Sequence, residues 1–192
     1  MLTYGIDVSA AQSEELPGVL PGVDFVWVKA TEGHTYVSPT QKAQAAAARG
    51  HGRVVGFYHF LWPGNIEQQA EYFVTQCASV PGDLLAVDWE MTSQGTHATC
   101  AEKDEFLAAV KRLRPNHRVL LYTNTDFWLH KDTTSDCGDG LWIADYRARR
   151  ADAGRPRIKH PWRFHQYADG PGHDRDVWNG SPAQLHQWAN GH

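Results

Sequence analysis

The chain has 192 residues, 42% of them hydrophobic, and a formal net charge of −4. That length and apolar content suit one folded domain with a sizeable core and exclude a disordered segment. The mild acidity leaves no electrostatic footprint for nucleic acid, and no apolar run approaches the ~20 residues that a membrane crossing needs.

Strand-like and helix-like stretches alternate along the chain. Thr3 to Val8 reads as a first strand and Asp24 to Ala30 as a second. Pro39 to Arg49, rich in Ala and Gln, predicts a helix stopped by Gly50 and Gly52. Arg53 to Phe60 is a third strand. Ile66 to Ala78 is helical, with Ile66, Ala70, Phe73 and Cys77 spaced by three and four. Leu84 to Trp89 is a fourth strand, and Thr99 to Leu113 a helix with Phe106, Ala109, Val110 and Leu113 on one side. Arg118 to Tyr122 and Gly140 to Ala144 are the fifth and sixth strands. The helical pattern then fades. Trp162 to Tyr167 and Arg175 to Trp178 read as strands, and Ser181-Pro182-Ala183-Gln184 opens a terminal helix that runs to Trp188.

This alternation implies a parallel sheet covered by helices. About eight strands suggest an α/β barrel whose last part lacks helices, in a chain shorter than the ~250 residues typical of a full eightfold barrel.

The most informative stretch is Leu84-Leu85-Ala86-Val87-Asp88-Trp89-Glu90. An apolar strand stops at two carboxylates one residue apart. Side chains on a strand repeat every second residue, so Asp88 and Glu90 share a face. Like charges that close resist joint ionisation, so one carboxyl is expected to keep its proton. A protonated acid beside an ionised partner is the equipment of glycoside hydrolysis. Alone, an Asp-x-Glu is also a common solvated loop start or a metal-holding pair.

Barrels of this kind carry reactive groups at the C-terminal ends of their strands. That rule gathers Asp7, Glu32, Tyr58, Asp88, Glu90, Tyr122, Trp142, Gln166 and Asp174 onto one rim. Each has a plainer reading. Asp7 can cap a turn, Glu32 can pair with Lys29, Tyr58 can be core, and Asp174-Arg175-Asp176 can be a mixed surface run. The carboxylates Asp7, Asp88, Glu90 and Asp174 are the expected catalytic set. Eight Trp and seven Tyr suit stacking on sugar faces, though cores use Trp as well.

Cys77, Cys100 and Cys137 form no Cys-x-x-Cys pair, which argues against structural zinc. Three buried free thiols are expected, with one Cys100–Cys137 bridge as the other option. The eleven His residues show no His-x-His or His-Glu-x-x-His spacing. No metal or cofactor is expected.

With these residues in view, the chain resembles glycoside hydrolase family 25, the Chalaropsis-type lysozymes or N-acetylmuramidases. Gly5-Ile6-Asp7-Val8-Ser9, Lys29-Ala30-Thr31-Glu32-Gly33, Gly56-Phe57-Tyr58-His59-Phe60 and Asp88-Trp89-Glu90 carry the resemblance. Gln68-Gln69-Ala70, Tyr122-Thr123-Asn124, Leu141-Trp142-Ile143-Ala144, Gln166-Tyr167 and Asp174 to Gly180 follow in the family's order. The resemblance implies a flattened (β/α)5(β)3 barrel and hydrolysis of the β-1,4 bond between N-acetylmuramic acid and N-acetylglucosamine. It implies Glu90 as general acid and Asp88 as partner of the substrate's 2-acetamido group. Asp7 and Asp174 ring the site, and Tyr58, Tyr122, Trp142, Glu32 and Gln166 hold the sugars. Inversion, with Asp7 or Asp174 activating water, is the rival mechanism. Two departures stand out: Ser38 where Asp is frequent, and His165 where Trp commonly precedes the Gln, a change expected to alter the groove floor.

A non-catalytic wall-binding barrel and a chitin-type glycosidase are the competing functions. The expected partner is the peptidoglycan glycan strand, engaged by a monomer without nucleic acid or membrane insertion. The basic run Arg147-Ala148-Arg149-Arg150, with Arg155, Arg157 and Lys159, is expected as solvated surface, with an anionic wall polymer as the alternative contact. Met1 runs straight into the first strand with no basic and apolar leader. That suits cytoplasmic synthesis and a phage endolysin released through a holin, with a bacterial autolysin fitting nearly as well. All of residues 1–192 are expected to form one catalytic domain.

Overall fold

The computed structural model describes residues 1–16, 20–146, 153–170 and 172–191. In chain order its elements are β1 (Thr3–Val8), a 3₁₀ turn (Leu20–Gly22), β2 (Phe25–Glu32), β3 (Tyr36–Val37) and α1 (Gln41–Gly50). Then come β4 (Val54–Phe60), α2 (Ile66–Gln76), β5 (Leu84–Asp88), α3 (Cys100–Leu113), β6 (Arg118–Asn124) and α4 (Thr125–His130). The chain finishes with β7 (Leu141–Ala144), β8 (Phe164–Ala168), β9 (Asp174–Trp178) and α5 (Pro182–Ala189).

Eight strands close into a barrel in the order β1-β9-β8-β7-β6-β5-β4-β2, with β1 pairing β2 to complete the ring and β3 added outside it. The pairs from β1–β2 round to β7–β8 are parallel. Antiparallel β9 closes the gap between β8 and β1. Four of the α-helices follow β2/β3, β4, β5 and β6, and among the described residues none separates β7 from β8 or β8 from β9. The expected α/β barrel with a helix-poor last part is therefore the observed one.

Alternation along each strand sorts side chains between two cores. The outward residues Val26, Val28, Val55, Phe57, Leu85, Val87, Leu121 and Ile143 pack with helix residues such as Ala45, Ala70, Phe73, Phe106 and Val110. The inward ones, Phe25, Trp27, Tyr122, Trp142, Phe164 and Trp178, fill the barrel, and Leu185 and Ala189 of α5 join them. Two glycines make this filling possible. A Cβ on Gly5 would lie 2.3 Å from the Phe25 ring, and one on Gly56 would lie 2.2 Å from Trp27. Any larger residue there would displace an aromatic ring.

Local signals behave as their chemistry dictates. Thr99 and Ser181 both form complete capping boxes, with Glu102 and Gln184. Three features lie outside the sequence expectations: the two-residue β3, the short α4 and the 3₁₀ turn, all below the length at which periodicity is readable. Cys77, Cys100 and Cys137 are free and only half-buried. Cys100 faces Asp132 and Thr134 rather than Cys137. No helix among the described residues is long and apolar enough to cross a membrane.

Candidate active site

Parallel strands end at one rim, and β9, running backwards, starts there. That places Asp7, Glu32, Asp88 and Asp174 around a single mouth, with Asp7 directly opposite Asp174 in the β1–β9 register. Asp88 is the last residue of β5 and is 6% exposed. Trp89 turns outward and is locked there. Its Nε1 donates to Ala98 O at 2.7 Å, its ring meets the Phe127 ring at 5.2 Å, and the Lys103 ammonium lies 5.5 Å from it. The next residue, Glu90, returns to the mouth and its carboxyl hydrogen-bonds that of Asp88. Asn124 bonds Glu90 as well, while its Oδ1 accepts from Phe127 N at 2.9 Å to cap α4.

The electrostatics favour a retained proton. Burial, then the Glu90 charge, pushes Asp88 well above the usual carboxylate range. Burial also raises Glu90, against the hydrogen bonds from Asp88 and Asn124 and the Lys29 charge. One proton shared by two touching carboxyls belongs to the pair. Asp88 is the deeper member and its Oδ1 finds no donor among the described residues. Glu90 is the more exposed and can pass the proton to a bound group.

Across the mouth, Asp7 is pushed up to about 7 by burial first and then by Asp174, against hydrogen bonds from Gln166 and Asp176. Asp174 is raised too, mainly by burial. Glu32 behaves differently. Burial would raise it, but bonds from Lys29 Nζ (2.6 Å) and Trp62 Nε1 (2.9 Å) hold it below the usual range. It is an ion-paired carboxylate at the edge of a cavity of about 400 Å³ lined by His34, Tyr36, Trp62 and Asn65.

The expected sugar-contact residues divide in two. Tyr58 is half-buried, its hydroxyl 3.3 Å from Val8 O. Tyr122, Trp142 and Gln166 lie deeper, with polar atoms already bound within the protein. Tyr122 OH donates to Gln166 Oε1 at 2.6 Å, Gln166 Nε2 donates to Asp7 at 2.6 Å, and Trp142 Nε1 donates to Asp176 at 2.7 Å. The Trp142 ring stacks on Trp27 at 4.6 Å. These three support the carboxylates from below.

One expectation needs correcting. His165 does not touch the groove floor: inward Gln166 is its neighbour, so His165 faces out. There its Nδ1 accepts from Gly154 N and its Nε2 bonds Asp145 O. Asp145, at the end of β7, also turns away and pairs with Arg157. Arg147 to Arg150 of the expected basic loop lie outside the described residues.

The candidate set omitted Asn124, Trp62 and Asp176. The first had a readable signal, since Asn before a short apolar helix is an N-cap. Asp176 had one too: it alternates with Asp174 on an inward strand face, although the intervening Arg175 gives the segment the look of a surface run.

The chain matches the family model described as glycosyl hydrolases family 25 over residues 6–174. It is 30% identical over 169 residues to an autolytic lysozyme of Clostridium acetobutylicum, covering 86% of this chain and 50% of that protein. It is 30% identical over 141 residues to an N,O-diacetylmuramidase of a Chalaropsis species, covering 65% of this chain and 67% of that protein. The chain thus spans half the length of the first relative and about two thirds of the second. Among solved structures, a muramidase from Acremonium alcalophilum superposes with a TM-score of 0.82 at 27% identity, covering 99% of this chain and all of the other.

Proposed function

The chain belongs to glycosyl hydrolase family 25, and from that premise we propose that it is a muramidase. It cleaves the β-1,4 bond between N-acetylmuramic acid and N-acetylglucosamine in peptidoglycan, at the bacterial cell wall, with residues 1–192 acting as one catalytic domain. The observation that carries this reading is the hydrogen-bonded Asp88–Glu90 pair, both members raised by burial, with Glu90 the more exposed of the two.

Glu90 protonates the glycosidic oxygen as its bond to the anomeric carbon breaks. Asp88 orients the 2-acetamido group, whose carbonyl oxygen attacks that carbon and forms a cyclic oxazolinium intermediate. Water then opens the ring, and Glu90 takes the proton back from it. This is the substrate-assisted variant of glycoside hydrolysis. The contact between Asp88 and Glu90 supports it: two touching carboxyls leave no room for a sugar between them, so neither can be the other's opposed nucleophile or base. Asp7 and Asp174 line the far side and set the local charge. Tyr58 and Glu32 contact sugar at the rim.

The test is digestion of purified peptidoglycan, borohydride reduction and mass spectrometry of the fragments. New muramitol ends are expected. Glucosaminitol ends would move the cut to the other linkage. Pelleting on the wall without new reducing ends would make the barrel a binding module, and faster release from chitin would make it a chitin-type glycosidase.

A further inference from the structure

Asp176 is completely buried beneath the mouth, on β9, and has no contact with solvent. Its surroundings fix where protons must sit. Trp142 Nε1 can only donate, so Asp176 Oδ1 accepts from it, at 2.7 Å. Asp176 Oδ2 is equally buried and meets no donor among the described residues. The group it faces is the carboxyl of Asp7, to which its side chain is hydrogen-bonded.

Asp7 is in turn held by an oriented amide. Gln166 Oε1 accepts both the Tyr122 and Tyr146 hydroxyls. Its Nε2 is therefore the end that reaches Asp7, at 2.6 Å. Two carboxyls thus touch between two fixed donors, and a hydrogen bond between them requires one proton. Tyr122 and Tyr146 point to Gln166, Gln166 points to Asp7, and Trp142 points to Asp176. Each carboxyl thus receives one fixed donor, and burial separates them: Asp176 is closed off from solvent while Asp7 still reaches the mouth, so the charge falls to Asp7 and the proton to Asp176.

We propose that Asp176 is a protonated positioning residue, donating its carboxyl proton to Asp7 so that Asp7 is the acceptor of the pair and the member that ionises first at the groove. This rests on the reading of Asp7 as one of the reaction's carboxylates. Strand pairing supports the assignment. Asp176 sits opposite Gly5, whose missing side chain leaves Asp176 diagonal to Asp7 on the same inward face. Burial and the neighbouring Asp7 raise Asp176 well above the carboxylate range.

The groups facing the pair are Asp174 from β9, Asp88 and Glu90 from the β5 end, Tyr58 from β4, Tyr122 from β6 and Tyr146 beyond β7. All are neutral or acidic. The ammonium at this rim belongs to Lys29, which is paired with Glu32. Among the described residues no cation pairs with either carboxyl, so ionising Asp176 would place a second buried negative charge against Asp7.

The experiment uses aspartate carboxyl-¹³C labelling of the full chain and of Asp176→Asn. The resonance lost in the variant should have the shift of a protonated carboxyl at pH 7; a carboxylate shift there would overturn the proposal. This readout needs no turnover, so it stands even if the muramidase reading fails. In the same preparations, Asp176→Leu should lower kcat by roughly ten- to a hundred-fold, the worth of one hydrogen bond to a charged group, with KM little changed. Asp176→Asn, which keeps both an acceptor for Trp142 and a permanent donor for Asp7, should recover most of that loss. A Leu variant as active as wild type, or an Asn variant as impaired as Leu, would contradict it. If Asp176→Leu does not fold, the resonance and the Asn kinetics still decide.

Discussion

Inside the barrel, Trp27, Trp142, Tyr122 and Phe164 pack beneath a cluster of carboxyls; outside it, valines, leucines and alanines pack against helices. The two regions also treat charge in opposite ways. Asp7, Asp88, Glu90, Asp174 and Asp176 are all raised by burial among like groups. In the outer layer, Asp132 meets the buried Lys103 ammonium at 2.9 Å and is held below the usual range despite its burial. The outer layer satisfies its charges and stabilises the fold. The inner one leaves them strained against each other, which costs stability and leaves protons available for transfer.

The largest effect expected from this contrast is on rate alone. Glu90→Gln should cost roughly 10²–10⁴-fold in turnover, the usual size of general acid catalysis, while its urea midpoint stays near wild type. A large fall in the midpoint would mean the two regions are not separable. The converse change is Phe73→Ala in the outer layer, fully buried against His59 and Phe106. It should lose about 3–5 kcal/mol of unfolding free energy, read by urea denaturation, with kcat of the folded fraction little altered.

A subtler difference lies in pH dependence. Asp7 is at about 7 in the folded chain, whereas an unfolded Asp sits at ~3.9. Between those values the native state holds a proton that the unfolded state has released, so stability falls as pH rises through the window. Asp132 has the opposite sign: its contribution is present above the unfolded value and lost as pH falls through the folded one. Asp7→Asn should therefore gain stability relative to wild type between pH 5 and pH 7. A constant difference across that range would show that Asp7 is ionised throughout. The smallest effect belongs to neither region. The Glu67–Arg112 pair is at least half exposed on both sides, and Arg112→Ala should move stability by no more than ~0.2–1 kcal/mol and leave activity alone.

The outer layer was the more legible of the two in sequence. Its helices repeat apolar residues every three to four positions, and its strands are short aliphatic runs bounded by Gly, Pro and Asp. Asp88-x-Glu90 was legible because strand alternation alone puts both on one face. The interior was harder to read because its logic is long-range. Gln166 looks like a sugar ligand until Tyr122 and Asp7, 44 and 159 residues away, are seen to occupy its amide. His165 looks like groove floor until β7 and β8 pair and turn it outward. Asp176 is hidden by Arg175, whose charge makes an inward strand resemble surface.

The most direct test of Glu90 as proton donor is a substrate that needs no proton. An aryl β-glycoside of the wall disaccharide releases an acidic phenol unaided, so rapid mixing reports the first bond cleavage alone. Glu90→Gln should give a phenol burst close to the wild-type rate while remaining crippled on peptidoglycan. An equal loss on both substrates would show that Glu90 does not supply the proton.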